Sequence, residues 1–277
     1  MLITKEMISD FAYDLQMREK SAATVEKYVR DVRRFAEFAA GQEVTRQLVL
    51  DYKAALTATY KVRSINSMLA SVNAFLRFSG REDCRVQQLR LQSAAYCAEE
   101  SELSRQEYCR LVKTAAALGD KRMSLLLQTL CSTGIRISEL AYITVEAVRA
   151  GRVEIRCKGK RRVVFLPARL QNKLLRYCRT TRRHYGAVFC TRSGAAMDRS
   201  NIWHAMKRLC LAAGVSPQKV FPHNLRHLLA RTFYEQQKDL SKLADLLGHS
   251  SINTTRIYIV SSGAEHRRQM EQMHLVL

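Results

Sequence analysis

Residues 152–166 read Arg152-Val-Glu-Ile-Arg-Cys157, Lys158-Gly-Lys160, Arg161 and then Arg162-Val-Val-Phe-Leu166. The first six residues alternate polar and apolar, and the last five are β-branched and aromatic-rich. Between them Lys-Gly-Lys is a turn, so the stretch predicts a hairpin with lysines at its tip. Everything around it has helical spacing. From Ser21, a plausible N-cap, apolar residues fall at Val25, Tyr28, Val29, Val32, Phe35 and Ala36. The pattern recurs at Ile65, Met68, Leu69, Val72, Phe75 and Leu76, and Gly80 marks a stop. The fold class is therefore mainly α with one small antiparallel sheet.

The chain of 277 residues carries 46 Lys+Arg against 25 Asp+Glu, a formal charge of +21. A hydrophobic content of 47% supplies a core and excludes a disordered basic tail. No run approaches the ~18 apolar residues of a membrane span. The opening MLITKEMISDF lacks a signal-peptide pattern, so a cytoplasmic, nucleoid-associated protein is expected. The eight cysteines form no CxxC or zinc-ribbon spacing, which predicts reduced thiols and no structural metal. Such a charge excess points to nucleic acid.

Periodicity lapses over 91–103, where Glu99, Glu100 and Glu102 interrupt the basic chain. Ser104-x-x-Glu107 then forms a capping box. This predicts a helical domain over 1–95, a linker over 96–103 and a second domain over 104–277. The charge divides unevenly, with a net +4 in residues 1–95 and +17 in 96–277. Lys27, Arg30 and Arg34 on the first helix, and Arg63, Asn66, Ser67 and Asn73 on the second, suit phosphate and base-edge contacts, although an ordinary solvated face has the same composition. Arg161 and Arg162 of the hairpin join this candidate DNA-binding set.

Four clusters in the second domain could carry chemistry. Arg136 follows a glycine break and precedes Glu139 by one turn, a spacing at which a carboxylate orients a guanidinium. The hairpin offers Lys158 or Lys160. Pro222-His-Asn-Leu-Arg-His227 places His223, Arg226 and His227 on one helix face. The Asn224 and the intervening arginine suit an oxyanion rather than zinc. Finally, Leu246-Leu-Gly-His249 is followed by Tyr258.

Taken in order, TGIRISEL around Arg136, the Lys158 hairpin, HNLRH at 223–227 and LGHSSINTTRIY at 247–258 resemble the tyrosine recombinases, the phage integrase family. The resemblance covers nearly the whole chain. It implies an N-terminal helical, SAM-like core-binding domain and an α-rich catalytic domain, ending in a tail helix at about 264–277. The implied catalytic set is Arg136, Lys158, His223, Arg226, His249 and Tyr258, with Glu139, His227 and Lys160 in support. The turn is one residue shorter than the family's usual form, which leaves Lys158 and Lys160 both open. Leu228 and Leu229 also depart from the pairs common there.

The implied reaction is site-specific recombination through a 3′-phosphotyrosyl link, without cofactor, metal or ATP. The implied partners are double-stranded DNA with paired inverted half-sites and a homo-tetramer on two sites. The tail would be exchanged between protomers, and the resemblance leaves room for accessory proteins. Type IB topoisomerase-like relaxation and a non-catalytic DNA-binding regulator are the alternatives. The chemistry is coherent on physical grounds. Two arginines can fork onto the non-bridging oxygens of a phosphodiester and stabilise charge developing at phosphorus. A free tyrosine is about one part in a thousand phenolate at pH 7, a deficit of roughly 4 kcal/mol, so cations and a proton acceptor such as His223 are needed. A lysine of lowered pKa would protonate the departing 5′ oxygen.

Overall fold

The computed structural model describes residues 1–90, 102–157, 160–191, 194–249, 251–258 and 271–273. Lys158 and most of the expected linker and tail helix lie outside them. The chain divides into two compact units, Met1–Ser93 and Ala94–Leu277.

The first unit holds α1 (Lys5–Met17), α2 (Ala22–Ala39), α3 (Arg46–Thr59) and α4 (Val62–Phe78). Ser21 is the N-cap of α2. Val25, Val32 and Phe35 are buried along one face of that helix, as their spacing predicts. α2 packs on both α1 and α4. Phe11 of α1 meets Phe75 of α4 edge-on, with ring centroids 5.4 Å apart. Such a contact adds about 0.5–1.5 kcal/mol to the burial itself.

Polar side chains complete this core. Asp31 is buried and accepts bonds from Lys27 Nζ at 2.7 Å and from Ser71 Oγ at 2.9 Å. Asn66 donates to the Leu89 carbonyl and accepts from the Leu89 N–H, both at 2.8 Å. Asn73 does the same for Val86, at 2.8 and 3.1 Å. These amides pin the chain that leaves α4.

The second unit opens with α5 (Arg105–Ala117). Its capping box is formed: Glu107 N–H donates to Ser104 Oγ at 3.1 Å, and Ser104 N–H to Glu107 Oε2 at 2.8 Å. α6 (Lys121–Thr133) follows and ends at Gly134, whose φ is +62°. Arg136 is the N-cap of a 3₁₀ helix over Ile137–Tyr142, and Thr144 then caps α7 (Val145–Ala150).

β1 (Arg152–Cys157) and β2 (Lys160–Phe165) pair antiparallel, with Cys157 opposite Lys160, so two residues separate the strands. Val153, Ile155 and Val164 face the core. α8 (Ala168–Thr180), α9 (Arg199–Ala213), α10 (Pro222–Gln237), α11 (Leu240–Leu247) and α12 (Ile252–Arg256) complete the unit. Among the described residues no helix is long and apolar enough to cross a membrane. Six described cysteines are free thiols, all buried except Cys109.

Candidate active site

Three chain corners converge on one buried side chain, Arg226. It sits on the first turns of α10, which Pro222 opens at a position needing no N–H bond. The residue is 1% exposed. Its Nη1 donates to the Gly134 carbonyl at the end of α6. Its Nη2 donates to the Leu247 carbonyl at the end of α11 (2.7 Å) and to His249 Nε2 (2.9 Å). Among the described residues no carboxylate pairs with it, so its positive potential is available to an entering anion. Burial, then Arg136, presses its pKa down to about 10, so it is still charged at neutral pH.

The two helix ends can approach because each closes on a left-handed glycine. A Cβ on Gly134 would lie 2.7 Å from Leu229 Cδ2, and one on Gly248 would lie 2.4 Å from Arg162 Cδ.

His249 follows Gly248 directly. Because Arg226 can only donate, His249 Nε2 is the acceptor, and its Nδ1–H is left to donate to Thr255 Oγ1 at 2.8 Å. Burial, followed by Arg226 and Arg136, pushes the His249 imidazole down to about 4. Thr255 is the buried residue of α12, and its carbonyl accepts from Tyr258 N–H at 3.0 Å. Tyr258 packs with Ala230, Leu243 and Leu247 and is 6% exposed. Its ring lies among three imidazoles, with centroids 5.4 Å from His223, 4.4 Å from His227 and 5.3 Å from His249.

The Tyr258 hydroxyl meets His223 Nε2 at 3.3 Å. Burial and then Arg226 and Arg136 hold His223 below its ordinary pKa, which favours the neutral, proton-accepting imidazole.

Arg136 supplies the second cation of the site, and this one is exposed. Glu139, 3% exposed by side chain, receives Arg136 N–H at 2.7 Å and Arg136 Nη1 at 3.0 Å. The Arg136 side chain remains 45% exposed. It lines a cavity of about 600 Å³ together with His223, Arg226, Trp203 and Arg199. An anion entering there meets two guanidinium groups and an imidazole next to a tyrosine hydroxyl. This is the donor set that a phosphodiester undergoing attack requires.

Seven of the nine catalytic and supporting residues expected from sequence are thus brought together: Arg136, Glu139, His223, Arg226, His227, His249 and Tyr258. Lys158 lies outside the described residues, and Lys160 is a strand residue opposite Cys157. Among the expected DNA-contacting residues, Arg30, Arg34, Arg63, Ser67 and Arg161 are exposed. The Asn66 and Asn73 amides are bonded to backbone, and the Lys27 ammonium bridges the Asp31 and Ser71 side chains and the Ser67 carbonyl. Arg162 differs: it turns inward onto Glu139.

Thr255 and the Glu102–Arg231 pair behind His227 were not anticipated from sequence. Thr255 sits inside LGHSSINTTRIY, where its inward position shows only once α12 is folded. Among the described residues, no group of three or more His, Cys, Asp or Glu is placed to hold a metal ion.

The chain is similar to known proteins along nearly its whole length. The family model described as "Phage integrase family" matches residues 101–265, and "Phage integrase, N-terminal SAM-like domain" matches residues 8–83. Tyrosine recombinase XerA of Thermococcus kodakarensis is 30% identical over 279 residues, covering 98% of this chain and 96% of that protein. A crystal structure of XerA recombinase superposes with a TM-score of 0.56 at 25% identity, covering 99% of this chain and 100% of that one. A lambda integrase tetramer bound to a Holliday junction shares the fold, with a TM-score of 0.74 at 15% identity, covering 91% and 76%.

Proposed function

Because the chain belongs to the phage integrase family, we propose that it is a site-specific DNA recombinase whose six-residue centre is Arg136, Lys158, His223, Arg226, His249 and Tyr258. Arg136 and Arg226 hold the non-bridging oxygens of the scissile phosphate. Tyr258 Oη attacks phosphorus as its proton passes to His223 Nε2. The bond to the 5′ oxygen breaks, and that oxygen takes a proton from the hairpin lysine, Lys158 or its neighbour Lys160. The product is a 3′-phosphotyrosyl link and a free 5′-hydroxyl. A 5′-hydroxyl from a second duplex reverses the step, so rejoining needs no outside energy source. His249, tied between Arg226 and Thr255, keeps the guanidinium and the Tyr258 segment in register.

The observation that carries this reading is the Tyr258 hydroxyl 3.3 Å from His223 Nε2, beside a buried arginine that pairs with no carboxylate among the described residues. The N-terminal unit would grip the opposite face of the duplex through Arg30, Arg34 and Arg63. Paired inverted half-sites, a tetramer on two duplexes, exchange of the 264–277 tail and nucleoid association complete the proposal. The lambda integrase tetramer supports it as a precedent in the same fold.

The test begins by selecting bound duplexes from a randomised DNA library. A nicked suicide duplex carrying the selected site should give a covalent protein–DNA adduct with wild type and none with Tyr258→Phe. An adduct that survives Tyr258→Phe would overturn the assignment. Relaxation of site-free plasmid by monomers would favour topoisomerase-like action instead.

A further inference from the structure

Glu139 pairs with Arg136 and receives a second arginine as well. Arg162 reaches it from β2, where it lies opposite Ile155 and shares the inward parity of buried Val164. Its side chain is 16% exposed. Nη2 donates to Glu139 Oε2 at 2.6 Å, and Nη1 donates to the Leu246 carbonyl of α11 at 3.2 Å. One guanidinium thus spans the 3₁₀ turn that carries Arg136 and the helix end that precedes His249. The planar fork of arginine can do this, whereas the point charge of a lysine cannot.

We propose that Arg162 is a positioning residue that keeps Arg136 free for the phosphate by occupying Glu139. Unopposed, an arginine and a carboxylate three residues apart would close into a two-bond fork. Here the Arg136 backbone N–H and Arg162 Nη2 hold Oε2, so the Arg136 side chain bonds Oε1 alone. The side chain remains 45% exposed and lines the cavity. Burial raises the Glu139 pKa, but the hydrogen bonds from Arg136 and Arg162 outweigh this and leave it below the ordinary value, so the carboxylate is ionised and able to hold both. Gly248 belongs to the same device: with φ at +66° and no Cβ, it leaves room for the Arg162 stem. Arg162 is therefore not one of the phosphate-gripping cations of the surface.

The inference rests on the recombinase reading, and its test separates the two. Suicide duplexes carrying the selected site are made with an ordinary scissile phosphodiester, or with a methylphosphonate in which an uncharged methyl replaces one non-bridging oxygen. The neutral centre needs less help from a correctly aimed arginine. At saturating protein, Arg162→Gln should slow single-turnover cleavage of the phosphodiester by about 100-fold, the usual cost of misplacing a catalytic group by ~1 Å. On the methylphosphonate the loss should shrink to about 5-fold or less, and Arg136→Gln should show the same substrate dependence.

Arg162→Lys, which keeps the charge but not the fork, should fall between Arg162→Gln and wild type, and it serves if Arg162→Gln fails to fold. Equal losses on both substrates would overturn the proposal, because a general loss of structure does not distinguish them. A raised Kd with an unchanged saturated rate would also overturn it and return Arg162 to phosphate gripping. If wild type itself forms no adduct with the phosphodiester, the recombinase reading fails and takes the inference with it.

Discussion

Both units bury polar side chains, and they use them in opposite ways. In the N-terminal unit, Asp31 is closed off by Lys27 and Ser71, and Asn66 and Asn73 each exchange two bonds with a single residue. Within these networks donors and acceptors are matched, while Tyr52 Oη and Arg85 Nε of the same unit are buried without a hydrogen-bond partner among the described residues. In the C-terminal unit, the Nε atoms of Arg226 and Arg162 and the Nδ1 of His227 are buried without a hydrogen-bond partner among the described residues. Native folds rarely leave such groups unmatched, so a cluster of them marks capacity held for something else. The difference is one of place: the networks around Asp31, Asn66 and Asn73 are closed, whereas the open groups of Arg226 and His227 lie beside Tyr258.

The sharpest way to break this contrast is to alter one member of each network. Arg226→Lys removes a fork that bonds two helix ends and leaves a point charge in its place. Its single-turnover cleavage rate should fall about 1000-fold, or ~4 kcal/mol of barrier, while duplex binding by gel shift changes far less. Asn66→Ala should do the reverse. It strips partners from the Leu89 N–H and carbonyl, so urea unfolding of the N-terminal unit should show a loss of about 1–3 kcal/mol. Cleavage per folded, DNA-bound molecule should be unchanged. If Asn66→Ala instead weakens DNA binding at full stability, the amide reads DNA and the closed network is an incidental feature.

The same contrast explains what could be read before folding. The stripe from Val25 to Phe35, the Ser104–Glu107 box and the hairpin were legible because each depends on neighbours in sequence. So was the grouping of His223, Arg226 and His227, one helix turn apart. The backbone bonds of Asn66 and Asn73 were not legible, because a polar residue on a helix has the same sequence signature whether it faces water or a returning segment of chain. Arg162 was assigned to the surface with the other cations of the hairpin. Yet the alternation that buries Val164 also points residue 162 inward, and that parity was the available signal. The bond from Arg226 to the Gly134 carbonyl joins residues 92 apart, and no local pattern encodes it.

A smaller effect sharpens the comparison through pH. His227 stacks on Tyr258 with its Nδ1 unpartnered, 4.0 Å from Glu102 Oε1, and burial, followed by His223 and Arg226, takes its pKa down to about 4. An unfolded histidine titrates near 6.5. Between those values the unfolded chain binds a proton that the folded chain refuses. Stability is therefore complete above about pH 6.5 and declines as the pH falls toward 4. After discounting for solvent screening, His227 should contribute about 1–2 kcal/mol to that decline. Thermal unfolding of wild type and His227→Gln at steps from pH 7.5 to 4.5 reads it directly, with the variant losing less Tm as the solution is acidified. The N-terminal unit contains no histidine, so its transition should not share this slope. If His227→Gln steepens the decline instead, the imidazole takes up its proton in the folded state with Glu102 as partner, and the network behind Tyr258 is closed after all.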